Sequence, residues 1–163
     1  MDVEEAIRTR RTHKAYRPEP VDRATLDELF ELARWAPNHH LTNPWRFRVL
    51  GPASLARLKA AAGPEAATKL DRAPTLVVVS AVGNEEDRDA TAVAAYIVLL
   101  AAHARGLASY WRTPEVLRTA EGRAAVGVED DEQVLGLLHL GRPRQEQRIP
   151  ERAPTAAVVS YLE

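Results

Sequence analysis

The chain has 163 residues, a length that favours one substantial core over two. Hydrophobic residues make up 45% and charged residues 28%, a globular balance, and a formal net charge of -1 provides no global field for nucleic acid or an anionic membrane. Cysteine is absent, which excludes disulfides, thiolate metal sites and cysteine nucleophiles.

No basic, apolar leader opens the sequence, and its longest uncharged stretch, residues 90–102, is too short to cross a bilayer. A cytoplasmic, membrane-free protein with a single domain over residues 1–163 is the expectation. Val3 and Ile7 stand four apart and predict one inward face of a short helix ending near Arg10. Beyond the Pro18–Pro20 turn, Asp22 reads as an N-cap, with Val21 and Leu26 as a hydrophobic staple. Leu26, Leu29, Phe30 and Ala33 repeat at helical spacing up to Trp35, before Pro37 ends the helix. A polar loop, residues 38–45, leads into a strand over 46–50.

A weaker helix is predicted from Pro52 to Ala62, followed by the β-branched run 75–82, typical of a strand covered on both faces. The strongest helix runs from about Glu86 to Arg105 and stops at Gly106. It suits burial in its own subunit or, through its small residues, packing on a second copy. Strands are expected at 107–111, 133–141 and 155–162, with a helical turn or two over 114–120 and a polar, proline-broken stretch over 142–154. This interleaving predicts an α/β or α+β sandwich without a clean βαβ alternation. Neither GxGxxG nor GxxxxGK occurs, so an anion here is held by side chains.

The segment RTRRTHKAY (8–16) gathers Arg10, Arg11, Thr12 and Lys14. Two readings stay open on spacing alone. The arginines either complement a helix C-terminus or, with the threonine hydroxyl, grip a phosphate monoester. His39 and His40 adjoin each other, but in an extended loop their rings point to opposite sides and no third ligand is near in sequence, so no metal site is expected. His103 and His139 read as structural, and Trp45 as packing behind the loop. Ser80 and Ser109 lack a nucleophile-elbow context. The arginines of 142–152 either form a solvated loop or reach the same phosphate. Without interleaved aromatics they make a poor nucleic-acid surface.

RTRRTHKAY resembles the R-x-S/T-x-K-A-F/Y opening of the FMN-dependent nitroreductase family, particularly its short bacterial NAD(P)H nitroreductase-like members. APNHHLTNPWRF (36–47), GLASYWRT (106–113) and LGLLHLGRP (135–143) resemble its later motifs in the same order. The resemblance implies an α+β nitroreductase-like sandwich, a central mostly antiparallel sheet flanked by helices, in an intertwined homodimer with FMN at the interface.

It further implies that Arg10, Arg11 and Thr12 hold the phosphate, and that Lys14 approaches the flavin N1/O2 edge. Pro37, Asn38 and His39 would come from the partner subunit, while Trp111, Arg112 and Thr113 complete the pocket. NADH or NADPH would reduce the flavin and a nitroaromatic, quinone or similar planar acceptor would reoxidise it, in a ping-pong cycle with no classical catalytic residue. Leu41, Asn43, Trp35 and Ala108 depart from the family pattern. Trp35 and Leu41, if they crowd the substrate side, favour instead a flavin- or nucleotide-binding module without turnover. A third reading is an RNA-binding or scaffold protein built on the arginine clusters.

Overall fold

The computed structural model describes residues 1–162. Helices α1 (Val3–Thr9) and α2 (Arg23–Ala33) precede β1 (Trp45–Val49). Next come α3 (Pro52–Ala62), α4 (Pro64–Ala67), β2 (Thr75–Val82) and the long α5 (Glu85–Ala104). Strand β3 (Ala108–Arg112), α6 (Ala120–Ala125) and β4 (Glu132–Gly141) complete the regular structure. The four strands pair antiparallel in the order β1-β2-β4-β3, so the fold is α+β.

The two-residue period of β2 and β4 sorts the core into two layers. Val77, Val79, Ala81, Leu138 and Leu140 face α2 and α5, where Leu26, Leu29, Ala94, Ala95 and Val98 complete a first core. Leu76, Val78 and Leu137 face the other way, onto Leu58 of α3, Leu117 and Ala125. Both faces of β2 are covered, which is why its sequence is almost continuously apolar. The register shifts between Val79 and Ser80, where Val79 pairs with Gly136 and Ser80 with Val134. Leu135 is thereby left as the extra residue of a β-bulge.

Asp22 caps α2, its side chain accepting from the Thr25 amide at 2.9 Å. Asn84 and Asp87 form a reciprocal capping box at the start of α5. After α1 the chain turns extended at Arg10 and runs along the free edge of β3. There the His13 amide donates to the Ser109 carbonyl at 3.0 Å, and Tyr16 bridges to Pro143. The segment that carries the basic motif is therefore a partial fifth strand.

Four expectations are corrected. Residues 155–162 form no strand; a single 3-10 turn, Thr155–Ala157, is followed by exposed Val158, Tyr161 and Leu162. A β-prone run becomes a strand only where a neighbouring edge accepts its backbone bonds, and here the amides of Val158 and Val159 fold back on Thr155. In α1 the buried residue is Ala6, with Val3 and Ile7 exposed, because the helix meets its neighbours through its small residue. Helix α2 stops at Ala33, leaving Trp35 exposed beyond it. Finally, the His39 and His40 rings do not diverge. Their centroids lie 3.9 Å apart, because His40 takes a left-handed φ of 53° that turns the chain back.

Candidate functional site

The end of α1 settles how its arginines divide. Arg8 pairs with Glu4 along the helix. Arg11 donates from Nη1 to the carbonyls of Arg8 (2.7 Å) and Arg10 (2.9 Å), satisfying helix-end acceptors that otherwise lack partners. Arg10 has no such duty. Its guanidinium carbon lies 5.8 Å from the centre of the Tyr96 ring on α5, and its Nε is buried without a protein acceptor.

Arg10, Arg11 and Thr12 line a cleft of about 270 Å³ together with Gln147, Arg148, Pro150 and Arg152. Four guanidinium groups and one hydroxyl meet there, and among the described residues no carboxylate lines it. The return of the chain beside the basic segment brings the two arginine groups together. The Arg17 amide donates to the Arg142 carbonyl at 2.9 Å and the Arg144 amide to the Ala15 carbonyl at 3.3 Å. Arg148 and Arg152 are thus lining residues that composition alone left undecided.

Behind Arg10 lies a polar cluster. Thr9 Oγ1 and His103 Nε2 are 2.8 Å apart, and His13 adjoins them. Burial, then the charges of His103 and Arg10, hold His13 below its ordinary pKa. His103 is lowered by burial and by Arg10 and Arg11. Both imidazoles stay neutral near pH 7 and leave the positive charge of the cleft to arginine.

Lys14 projects on the second-core side of the edge, with its Nζ 5.9 Å from the centre of the Tyr110 ring. Beneath Tyr110 sits His139, fully buried, with ring centroids 5.6 Å apart. Burial, followed by the charges of Arg112 and Arg72, pushes the His139 pKa down to about 4. Trp111 faces the first core instead. Its Nε1–H and the Thr113 hydroxyl both donate to the Leu135 carbonyl, at 3.1 and 3.0 Å. These two side chains are occupied in holding the end of β3, while Arg112 lies on the same face as Tyr110.

Pro37, Asn38 and His39 do not join the basic cleft. They line a separate shallow groove with Glu86, Asp89, Ala90 and Val93 of α5. Asn38 knits this loop, donating to the Ala36 carbonyl and accepting from the Asn43 amide. His40, Leu41 and Asn43 all have positive φ, of 53°, 52° and 49°. Three non-glycine residues in this region mark a loop held in shape at a conformational cost. Thr42 fastens it to Asp87 at 2.9 Å. Trp35 and Leu41 stand 76% and 77% exposed, so within one subunit they crowd nothing. Among the described residues no group of histidine and acidic side chains could hold a metal ion, and no helix is long and apolar enough to cross a membrane.

Known proteins resemble this chain in sequence and in fold. The sequence matches the nitroreductase family over residues 7–142. The Bacillus subtilis protein YfhC, named as an inferred NAD(P)H nitroreductase, is 29% identical across 93% of this chain and 90% of its own. A nitroreductase-like family protein from Bacillus cereus superposes with a TM-score of 0.90 at 22% identity, covering 100% of this chain and 97% of that one. The FMN-dependent nitroreductase NfnB of Mycobacterium smegmatis, solved with NADPH, gives a TM-score of 0.81 at 22% identity over 98% and 97% of the two chains. A match spanning both the basic segment and the late strand establishes the relationship: this chain belongs to the nitroreductase family.

Proposed function

We propose that this chain is an FMN-dependent oxidoreductase, a single domain working as a homodimer, that uses NADH or NADPH to reduce nitroaromatics, quinones or similar electron-poor planar acceptors. The observation that carries this reading is the cleft of Arg10, Arg11, Thr12, Arg148 and Arg152. Its donors suit a phosphate monoester: forked guanidinium groups and a hydroxyl, with no competing carboxylate among the described residues. The buried Arg10 Nε, which has no acceptor of its own, is what a phosphate oxygen would satisfy.

In this reading bound FMN supplies the redox chemistry, and the protein supplies position and electrostatics. The four arginines and Thr12 anchor the phosphate tail. Lys14 places a positive charge on the side where the reduced ring gathers negative charge. The Trp111 and Thr113 bonds to Leu135 keep the end of β3 rigid beside it. The Pro37–His39 loop lies apart from the basic cleft in its own subunit, which fits a role in covering the cofactor of a second copy.

The test is a spectrum of the purified protein, mass identification of any released ligand, and anaerobic addition of each nicotinamide. A yellow protein that releases FMN and bleaches with NADH or NADPH is expected. A colourless protein that takes up no FMN would refute the proposal, and a yellow one that neither nicotinamide bleaches would leave only a flavin-binding module.

A further inference from the structure

We infer that Tyr110 is the positioning residue of Lys14: its ring is the platform over which the ammonium rests, and His139 is the sealed base of that platform. The inference deepens the proposed function and rests on it, because Lys14 acts there on the flavin. Among the described residues Lys14 makes no ion pair and no hydrogen bond, so its flexible stem would otherwise leave the ammonium free to sample many positions. Its Nζ lies over the face of Tyr110, 5.9 Å from the ring centre and within reach of the ring's quadrupole.

Tyr110 is itself fixed from below. The His139 ring lies 5.6 Å away, tilted by 48°, and is wholly buried near the end of β4. Tyr110 and His139 are register partners across β3 and β4, so the backbone ladder holds the two rings against each other. Neither nitrogen of His139 has a partner, and the imidazole faces Arg112 and Arg72 as well as the Tyr110 ring. A carboxylate at position 139 would draw the ammonium down and neutralise it. An uncharged ring supports Tyr110 and leaves the charge of Lys14 to act upward.

The chain contains three lysines, Lys14, Lys59 and Lys69, which makes the platform directly observable. In flavin-free protein carrying ¹³C-labelled lysine, one of three ε-methylene resonances should be displaced upfield by the ring current. It should vanish in Lys14→Met, persist in Tyr110→Phe and return to an ordinary position in Tyr110→Leu. In the flavin-loaded protein, Tyr110→Leu should weaken sulfite addition at flavin N5 by roughly 3- to 5-fold and lower the flavin midpoint potential, with flavin content retained. Tyr110→Phe should match the parent in both. No upfield lysine resonance in the parent, or a Tyr110→Leu protein with unchanged sulfite affinity and potential, would overturn the inference. Should Tyr110→Leu fail to fold, the parent spectrum still decides. A parent that binds no flavin would defeat the proposed function while the lysine resonances report separately on the platform.

Discussion

The indole Nε1–H of Trp111 donates to the carbonyl of Leu135 at 3.1 Å, joining the end of β3 to the bulge of β4. The Thr113 hydroxyl reaches the same oxygen at 3.0 Å. The bulge turns that carbonyl out of the ladder, and Gly136, with φ at 148°, makes the turn possible. A Cβ at Gly136 would lie 2.6 Å from both the Arg112 carbonyl and the Trp111 Nε1, and 3.0 Å from the Thr113 hydroxyl. Gly136→Ala should therefore destabilise the fold by about 2–4 kcal/mol through strain and overpacking. Because the clash falls on residues 111–113, flavin affinity should fall as well. Denaturant unfolding and flavin titration check the two effects.

Arg10→Ala combined with Thr12→Ala should leave a folded chain that has lost its cofactor. Each charge-assisted hydrogen bond to phosphate contributes about 1.5–3 kcal/mol, so the pair should weaken FMN binding by roughly 100-fold or more. Arg148→Ala with Arg152→Ala should produce a loss of the same sign, because those arginines line the same cleft. Riboflavin, which has no phosphate, should bind the parent and both double variants alike. Fluorescence titration with each ligand measures this. FMN affinity that survives the first double variant would place the phosphate elsewhere.

Lys14→Met should separate binding from reduction. On the proposed assignment the charge of Lys14 counts most when the ring becomes negative, so the anaerobic rate of flavin reduction should fall by roughly 100-fold, the scale of losing one electrostatic contact to developing charge. FMN affinity should change far less, since the arginine cleft stays intact. Stopped-flow reduction beside equilibrium titration makes the comparison, and equal losses in both would contradict the assignment.

Much of the sheet and its helices was legible because periodicity reports burial directly. The run 75–82 is apolar on both faces since both faces are covered, and Asp22 starts α2 where its side chain caps it. The Thr155–Leu162 segment misled because its β-branched composition says nothing about whether an edge is free to pair with it. The basic segment showed which residues could hold an anion. It could not show that Arg11 also ties down the helix end, or that Arg148 and Arg152 line the same cleft. Those placements depend on where residues 142–152 return, a long-range fact without local signature. Tyr110 was passed over for the same reason, since its link to Lys14 runs across two strands rather than along one.

His139 should make stability depend on pH in a definite direction. Its pKa is about 4 in the folded chain, against an ordinary value of 6.5. Between those values the unfolded chain binds a proton that the native state refuses, so stability rises with pH across this window. The contribution is fully present above about pH 6.5 and is lost as pH falls toward 4, amounting to about 3 kcal/mol in total. Glu132 adds a loss of the same sign. Burial opposes its ionisation, but hydrogen bonds from Arg48 and Ser80 outweigh it and hold its pKa below the ordinary carboxylate value. Because Glu132, His13 and His103 remain in both proteins, comparing the parent with His139→Leu isolates the histidine. The variant should lose the share of the dependence between pH 7 and 4 that His139 contributes. At pH 7 it should be no less stable than the parent, since two partnerless buried nitrogens are removed. Urea unfolding of both proteins across that range supplies the measurement, and parallel curves would mean that the imidazole takes up its proton within the folded core.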